Sequence, residues 1–255
     1  MYYRKYFAGS VEDASLTKNI PDLADPSRTI NNSYVQADVI CKAIQKTLQE
    51  VDISCIYNED NSTLKINGVT IQFYAYSNSS MYYQINGISV GYNTSYSPFS
   101  KNDYRFYITL KGDIDSILVI CIGRYDIPAS ENNGIAIGSG TDLKDYSNIK
   151  VINVIGDALT SNFYLVKDDA IYDNLKSKVV FGQEIANNLS VNDNGNLVTL
   201  VDCITVSCGR FKIDNCYFGN SALQTNYFYN IDGSVYYAFS SNILIKCVNQ
   251  QLETE

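Results

Sequence analysis

The 255-residue sequence contains no histidine and no tryptophan. Without histidine, the usual Ser-His-Asp and Cys-His ways of activating a nucleophile are excluded. Imidazole metal ligation and imidazole acid–base catalysis are excluded with them. Basic residues are sparse: 19 Lys and Arg stand against 27 Asp and Glu, for a formal net charge of −8. The densest basic stretch is the pair Arg4-Lys5. Phosphate contacts supply most nucleic-acid affinity, so this balance argues against a nucleic-acid partner. It argues equally against an anionic membrane surface. Long apolar runs are missing too. The longest, residues 117–122, is strand-length, whereas a membrane-spanning helix needs about 18 or more apolar residues. The first 13 residues lack the apolar segment of an export signal. The expected place of folding is therefore the cytoplasm, with no membrane as partner.

Seven cysteines, Cys41, Cys55, Cys121, Cys203, Cys208, Cys216 and Cys247, are odd in number and irregular in spacing. Most sit inside apolar patterns, as in Ile120-Cys121-Ile122, which fits buried free thiols better than a disulfide framework. The group Cys203, Cys208 and Cys216 has no C-x2-C knuckle. On a single strand over residues 197–208, Cys203 and Cys208 would point to opposite faces, so no metal is expected.

Gly134-Ile135-Ala136-Ile137-Gly138-Ser139-Gly140 invites comparison with a phosphate-cradling loop. It is followed by Thr141-Asp142 and not by the Lys-Ser/Thr that such a loop requires. It reads as a glycine-rich strand where backbone passes close to backbone, and no cofactor is expected. Three acidic pairs, Asp113/Asp115, Asp142/Asp145 and Asp168/Asp169, could in principle run glycoside hydrolysis. Nothing in the sequence brings any of them to a cleft, and turn positions favour Asp without a catalytic role. No catalytic residue is assigned, and the chain reads as a non-enzyme.

What the sequence has in abundance is tyrosine, 22 copies, a residue suited to half-buried strands. The fold class expected is mainly β (α+β), with antiparallel hairpin-rich sheets. One N-terminal amphipathic helix is expected at about 34–50, packed on a sheet. Its markers are Ser33 as N-cap with Gln36 in a capping box, then Ala37, Ile40, Cys41, Ile44, Leu48 and Val51 on one face. Asp38/Lys42 and Lys46/Glu50 are i,i+4 pairs on the wet side.

Beyond Val51 the apolar period becomes two. Asn67-Gly68, Asn86-Gly87, Asn133-Gly134, Asn194-Gly195 and Asp232-Gly233 mark type I′ turns. A further hairpin joins a half-buried strand over 104–110 to the apolar run 117–122 through Gly112-Asp113. That run is expected to be central, with the helix as one of its covers. Further strands are expected over 149–155, 163–166 and 178–181, with a helical turn over 172–177. Residues 1–31 read as an extended N-terminal arm reaching towards a neighbouring subunit. An α+β domain over 32–168 and a mostly β domain over 169–255 follow.

Aromatic clusters are the remaining signal. Tyr2, Tyr3, Tyr6 and Phe7 open the chain. Tyr96 and Tyr104 flank a Ser/Asn-rich loop, and Tyr227, Tyr229, Tyr236 and Tyr237 load one C-terminal hairpin on both faces. A one-sided sheet needs only one aromatic face, so the other must be covered. These ten residues form the candidate interaction surface.

Three C-terminal stretches carry a resemblance. They are Phe211-Lys212-Ile213-Asp214-Asn215-Cys216-Tyr217-Phe218, Phe228-Tyr229-Asn230-Ile231-Asp232-Gly233-Ser234-Val235-Tyr236-Tyr237-Ala238 and Asn242-Ile243-Leu244-Ile245-Lys246. They resemble the ends of structural proteins of phages and phage-tail-like particles (contractile-tail bacteriocins) from low-GC Gram-positive bacteria. The resemblance covers about 40 residues and rests on a style of strand and turn. It implies a subunit that assembles in the cytoplasm into a virion or tail particle (baseplate, neck, tail or capsid), with itself and other particle subunits as partners. The alternative is a carbohydrate- or receptor-binding β module of such a particle, recognising a cell-surface glycan through tyrosines within 92–107.

Overall fold

A computed structural model describes residues 1–10, 20–21, 29–30, 33–77, 80–85, 88–93, 99–100, 103–124, 133–142, 150–155, 163–167, 170–174, 189–193, 196–206, 209–219, 223–224, 227–240, 243–247 and 250–252. The protein is mostly β, as its alternating pattern requires. The first strands are β1 (Tyr2–Ser10), β2 (Ile20–Pro21) and β3 (Thr29–Ile30), and the helix α1 (Ser33–Gln49) follows. A meander comes next: β4 (Cys55–Asn58), β5 (Thr63–Ile66), β6 (Val69–Ser77), β7 (Ser80–Ile85) and β8 (Ile88–Asn93). The middle of the chain forms β9 (Phe99–Ser100), β10 (Asp103–Gly112), β11 (Ile117–Arg124), β12 (Asn133–Asp142), β13 (Lys150–Ile155), β14 (Phe163–Lys167) and β15 (Ala170–Asn174). The C-terminal part adds β16 (Leu189–Asp193), β17 (Asn196–Val201), β18 (Cys203–Val206), β19 (Gly209–Lys212) and β20 (Cys216–Gly219). It ends with β21 (Phe228–Ile231), β22 (Ser234–Ser240), β23 (Ile243–Lys246) and β24 (Gln250–Leu252). No helix among the described residues is long and apolar enough to cross a membrane.

Two compact units are present. One comprises Met1–Tyr3, Leu110–Ile120 and Gly134–Leu252. The other comprises Arg4–Thr109, Cys121–Asn133 and Glu253–Glu255. Each departs from the division expected from sequence. Within the arm expected over residues 1–31, Tyr2–Ser10 is instead a strand lying in a sheet between β10 and β24, and residues 11–19 and 22–28 lie outside the described residues. The boundary expected at residues 168–169 lies outside the described residues; β14 and β15 on either side of it pair antiparallel, with Lys167 opposite Ala170. Residues 172–174, where a helical turn was expected to begin, lie instead in β15 (Ala170–Asn174).

In the unit that holds residues 4–109, α1 packs on β4, β5 and β6 of a five-stranded antiparallel sheet. Ile40, Cys41, Ala43, Ile44, Thr47 and Leu48 are buried on its inner face. They meet the row Cys55, Leu64, Ile66, Val69, Ile71 and Phe73, every second residue of each strand. The expected cover for residues 117–122 thus serves this sheet, the one that follows it directly in the chain. Asn67 (φ 46°) and Gly68 (φ 80°) both adopt positive φ between Ile66 and Val69, the type I′ geometry expected of them. Tyr57 donates to Asp38 Oδ1 at 2.5 Å, and Lys42 bridges Asp38 at 3.0 Å and Glu59 at 3.2 Å. These contacts tie the first half of the helix to the edge strand β4.

Two larger sheets are also present. The first runs β15-β14-β13-β12-β11-β10-β1-β24, with β19 pairing β12 and β18 beyond it. The second runs β16-β17-β20-β23-β22-β21. The run expected as one long strand over 197–208 breaks at Asp202, so that β17 belongs to the second sheet and β18 to the first. Asn133-Gly134, expected as a turn, instead begins β12. The glycines farther along β12 do what the sequence suggested. A Cβ on Gly138 would lie 2.5 Å from the Ser116 carbonyl oxygen, so only glycine lets the two backbones pass. Asp232 (φ 50°) and Gly233 (φ 77°) close the β21–β22 hairpin as a second type I′ turn. Asn86-Gly87 and Asn194-Gly195 lie outside the described residues, as does the strand expected over 178–181.

Candidate interaction surface

The aromatic residues at the start of the chain are placed by strand alternation along β1. Tyr3 is buried, and Tyr2, Tyr6 and Phe7 are half-buried. Tyr6 meets Tyr107 edge-on with centroids 5.5 Å apart, and Phe7 stacks on Phe106 at 5.5 Å. Arg4 lies 4.3 Å above the Tyr107 ring, and its Nε donates to Thr109 Oγ1 at 3.0 Å. Lys5 reaches Glu50 at 2.9 Å. The strand expected to be half-buried over 104–110 is instead buried at every position from Phe106 to Leu110, with Tyr6 and Arg4 of the neighbouring strand β1 against Tyr107 and Thr109.

Lys111, next in the same row, is only 1% exposed. Its Nζ donates to the Tyr237 hydroxyl at 2.7 Å and lies 3.9 Å from the centroid of that ring and 5.8 Å from that of Tyr2. Tyr2 in turn meets Phe228 edge-on at 5.4 Å, and Phe228 lies 5.2 Å from Tyr237. One face of the C-terminal hairpin is therefore closed by the first strand of the same chain. The sequence required a cover for that face and left its identity open. Lys111 was missed because an alternating Tyr-Thr-Lys row reads as solvated. The dense aromatics of β1 were the available signal that something would lie over it.

The opposite face carries Tyr229, Ile231, Tyr236 and Ala238, which form a core with Val198, Leu200, Leu223 and Leu244. Tyr217 packs on this core at 5.3 Å from Tyr236. Tyr229 accepts a hydrogen bond from the Gln224 backbone N–H at 3.1 Å. Tyr227 extends the same row and touches Tyr229 edge-on at 5.2 Å, yet it remains 49% exposed.

The candidate surface is corrected accordingly. Tyr3, Tyr229, Tyr236 and Tyr237 are buried within the chain and offer nothing to a partner. Tyr227 is exposed. Tyr96 and the Tyr104 side chain lie outside the described residues. Among the described residues no cluster of three or more His, Cys, Asp or Glu could hold a metal ion. Asp113 and Asp115 share a turn, where the Asp115 N–H reaches Asp113 Oδ1 at 3.4 Å.

Six cysteines, Cys41, Cys55, Cys121, Cys203, Cys216 and Cys247, are free and buried; Cys208 lies outside the described residues. Burial pushes the Cys55 thiol up from 9.0 to about 12. Burial, followed by the neighbouring Tyr217 hydroxyl, pushes the Tyr236 phenol from 10.0 to about 12. Both groups keep their protons when folded at pH values where the unfolded chain has lost them. Their contribution to stability is therefore complete below pH 9 and erodes as the pH rises from 9 towards 12. The thermal midpoint, followed by circular dichroism, should fall through this range. Cys55→Val should flatten the fall. An unchanged slope in that variant would show that Cys55 is not a source of it.

No protein-family model, curated protein sequence or solved structure matches this chain.

Proposed function

We propose that the chain is a non-enzymatic structural subunit of a phage or phage-tail-like particle, working through protein–protein contacts. The observation that carries this reading is one of the two open edges that the six-stranded sheet has among the described residues. There β21 has no partner strand on its outer side among the described residues, and Tyr227 beside it is exposed. An unguarded strand edge is a template for another chain, and main-chain pairing at such an edge is a common mode of recognition. The C-terminal resemblance described above supports the particle. The N-terminal strand β1 is a member of the subunit's own sheet, which favours sheet edges as the contacts between subunits.

The test is analytical ultracentrifugation of the purified chain, alone and mixed with the products of its neighbouring genes. Self-association, or a defined complex with one of those products, is expected. A monomer that binds none of them overturns the proposal.

A further inference from the structure

We infer that the edge of β21, which has no outer partner among the described residues, pairs antiparallel with β21 of a second copy of this chain, about a two-fold axis at Tyr229. This rests on the assembly function proposed above and names the partner. In the hairpin, Tyr229 stands opposite Tyr236, and the Ala238 N–H donates to the Tyr227 carbonyl at 2.9 Å. Hydrogen bonding alternates along an antiparallel strand. Tyr227, Tyr229 and Ile231 therefore direct their N–H and C=O groups at β22, while Phe228 and Asn230 direct theirs outward. Asn230 is exposed and Phe228 half-buried, as befits an edge.

A two-fold axis at Tyr229 sets Phe228 of each copy opposite Asn230 of the other. Each pair exchanges two backbone hydrogen bonds, so both outward-facing residues of both strands are satisfied. Centring the axis on Phe228 or on Asn230 would leave one of these residues facing the chain beyond the strand. The side chains agree with this register. On the face of Tyr229, the exposed Tyr227 ring comes opposite Ile231 of the second copy, which adds an apolar neighbour to the Tyr229 ring it already touches. Charge agrees as well: Phe228, Tyr229, Asn230 and Ile231 are uncharged, so no like charges oppose each other. The usual guards of a free edge, a lysine, a proline or a bulge, are absent from this strand.

Asn230→Pro tests the inference. Its N–H points away from β22, and proline is tolerated at that kind of edge position, so the hairpin should survive while the outward pairing is blocked. Asn230→Lys is the second variant, acting by charge at the edge. By sedimentation velocity, the wild-type chain should dimerise, and both variants should sediment as monomers with unchanged circular dichroism. A wild-type dimer that either folded variant leaves intact overturns the register, and the proposed function stands. A wild-type chain that is monomeric alone but binds a neighbouring gene product overturns the inference and again leaves the function standing. A monomer that binds nothing overturns both.

Discussion

Gly112→Ala should leave little or no folded protein, whereas Gly233→Ala should cost only about 1 kcal/mol, near the lower bound for forcing a non-glycine residue into a left-handed conformation. Both glycines have similar positive φ, 86° and 77°, so that backbone cost is common to the two variants. They differ in what a methyl group meets. At Gly233 nothing lies within 4 Å, while at Gly112 the Ile117 carbonyl oxygen would sit 2.0 Å away and Ile245 Cδ1 3.2 Å away. That carbonyl is already fixed, since it accepts the Asp113 N–H at 2.9 Å. The Gly112 N–H is fixed as well, because it donates to the Met1 carbonyl at 2.9 Å. Relieving the overlap means moving a turn between two buried strands, with loss of hydrogen bonds worth about 1 kcal/mol each and of packing around Ile117 and Ile245. A total above about 4 kcal/mol is expected, a large part of the roughly 5–15 kcal/mol by which domains are stable. Soluble yield and denaturant midpoints of the two variants measure the difference. Equal losses would show that conformation, and not the overlap, sets the requirement at Gly112.

Local signals in the sequence translated into structure where one short-range rule decides the outcome. The helix appears at Ser33–Gln49 because its apolar face repeats at 3.6 residues and meets one row of a sheet. The Asn67-Gly68 and Asp232-Gly233 turns appear where two residues must take positive φ. The glycines of β12 mark close backbone passage, as their spacing in an otherwise apolar strand suggested. Long-range pairing was not legible. β14 and β15 pair across Asp168-Asp169, a point that reads in sequence as a soft boundary. A strand that changes sheets at Asp202 reads as continuous. The largest departure concerned what covers what. Tyr107, Thr109 and Lys111 are polar at one tip only, so alternation assigned them to water, yet their ring and methylene stems are apolar. Whether such a row is wet depends on a strand about 100 residues away in sequence, as the 105-residue separation of Arg4 from Thr109 illustrates. The candidate interaction surface shifted for the same reason. Most of the described aromatic residues pack within the chain, which leaves Tyr227 exposed beside the edge of β21.

Tyr237→Ala should destabilise the protein far more than Tyr237→Phe, and the gap between them separates ring packing from the lysine contact. Tyr237 is 3% exposed and Lys111 is 1% exposed. The phenylalanine variant keeps the ring that lies 3.9 Å from the lysine head group and removes the hydroxyl that accepts from it at 2.7 Å. A hydrogen bond to a charged group contributes about 1.5–3 kcal/mol, so a loss of that size is expected. The alanine variant also removes the ring, at about 3–5 kcal/mol for a buried aromatic, and uncovers Phe228 and the lysine stem. Its total should exceed about 5 kcal/mol and approach global unfolding. Lys111→Met completes a double-mutant cycle with Tyr237→Phe. If the two side chains stabilise mainly through each other, the double variant should be less destabilised than the sum of the single variants, by about the 1.5–3 kcal/mol of the shared hydrogen bond. Replacing both ends of a buried polar contact with apolar groups of similar shape is often close to neutral. Urea denaturation at neutral pH supplies the four stabilities. Strict additivity would show that Lys111 and Tyr237 act independently, and that the closure of the hairpin by the first strand depends on packing alone.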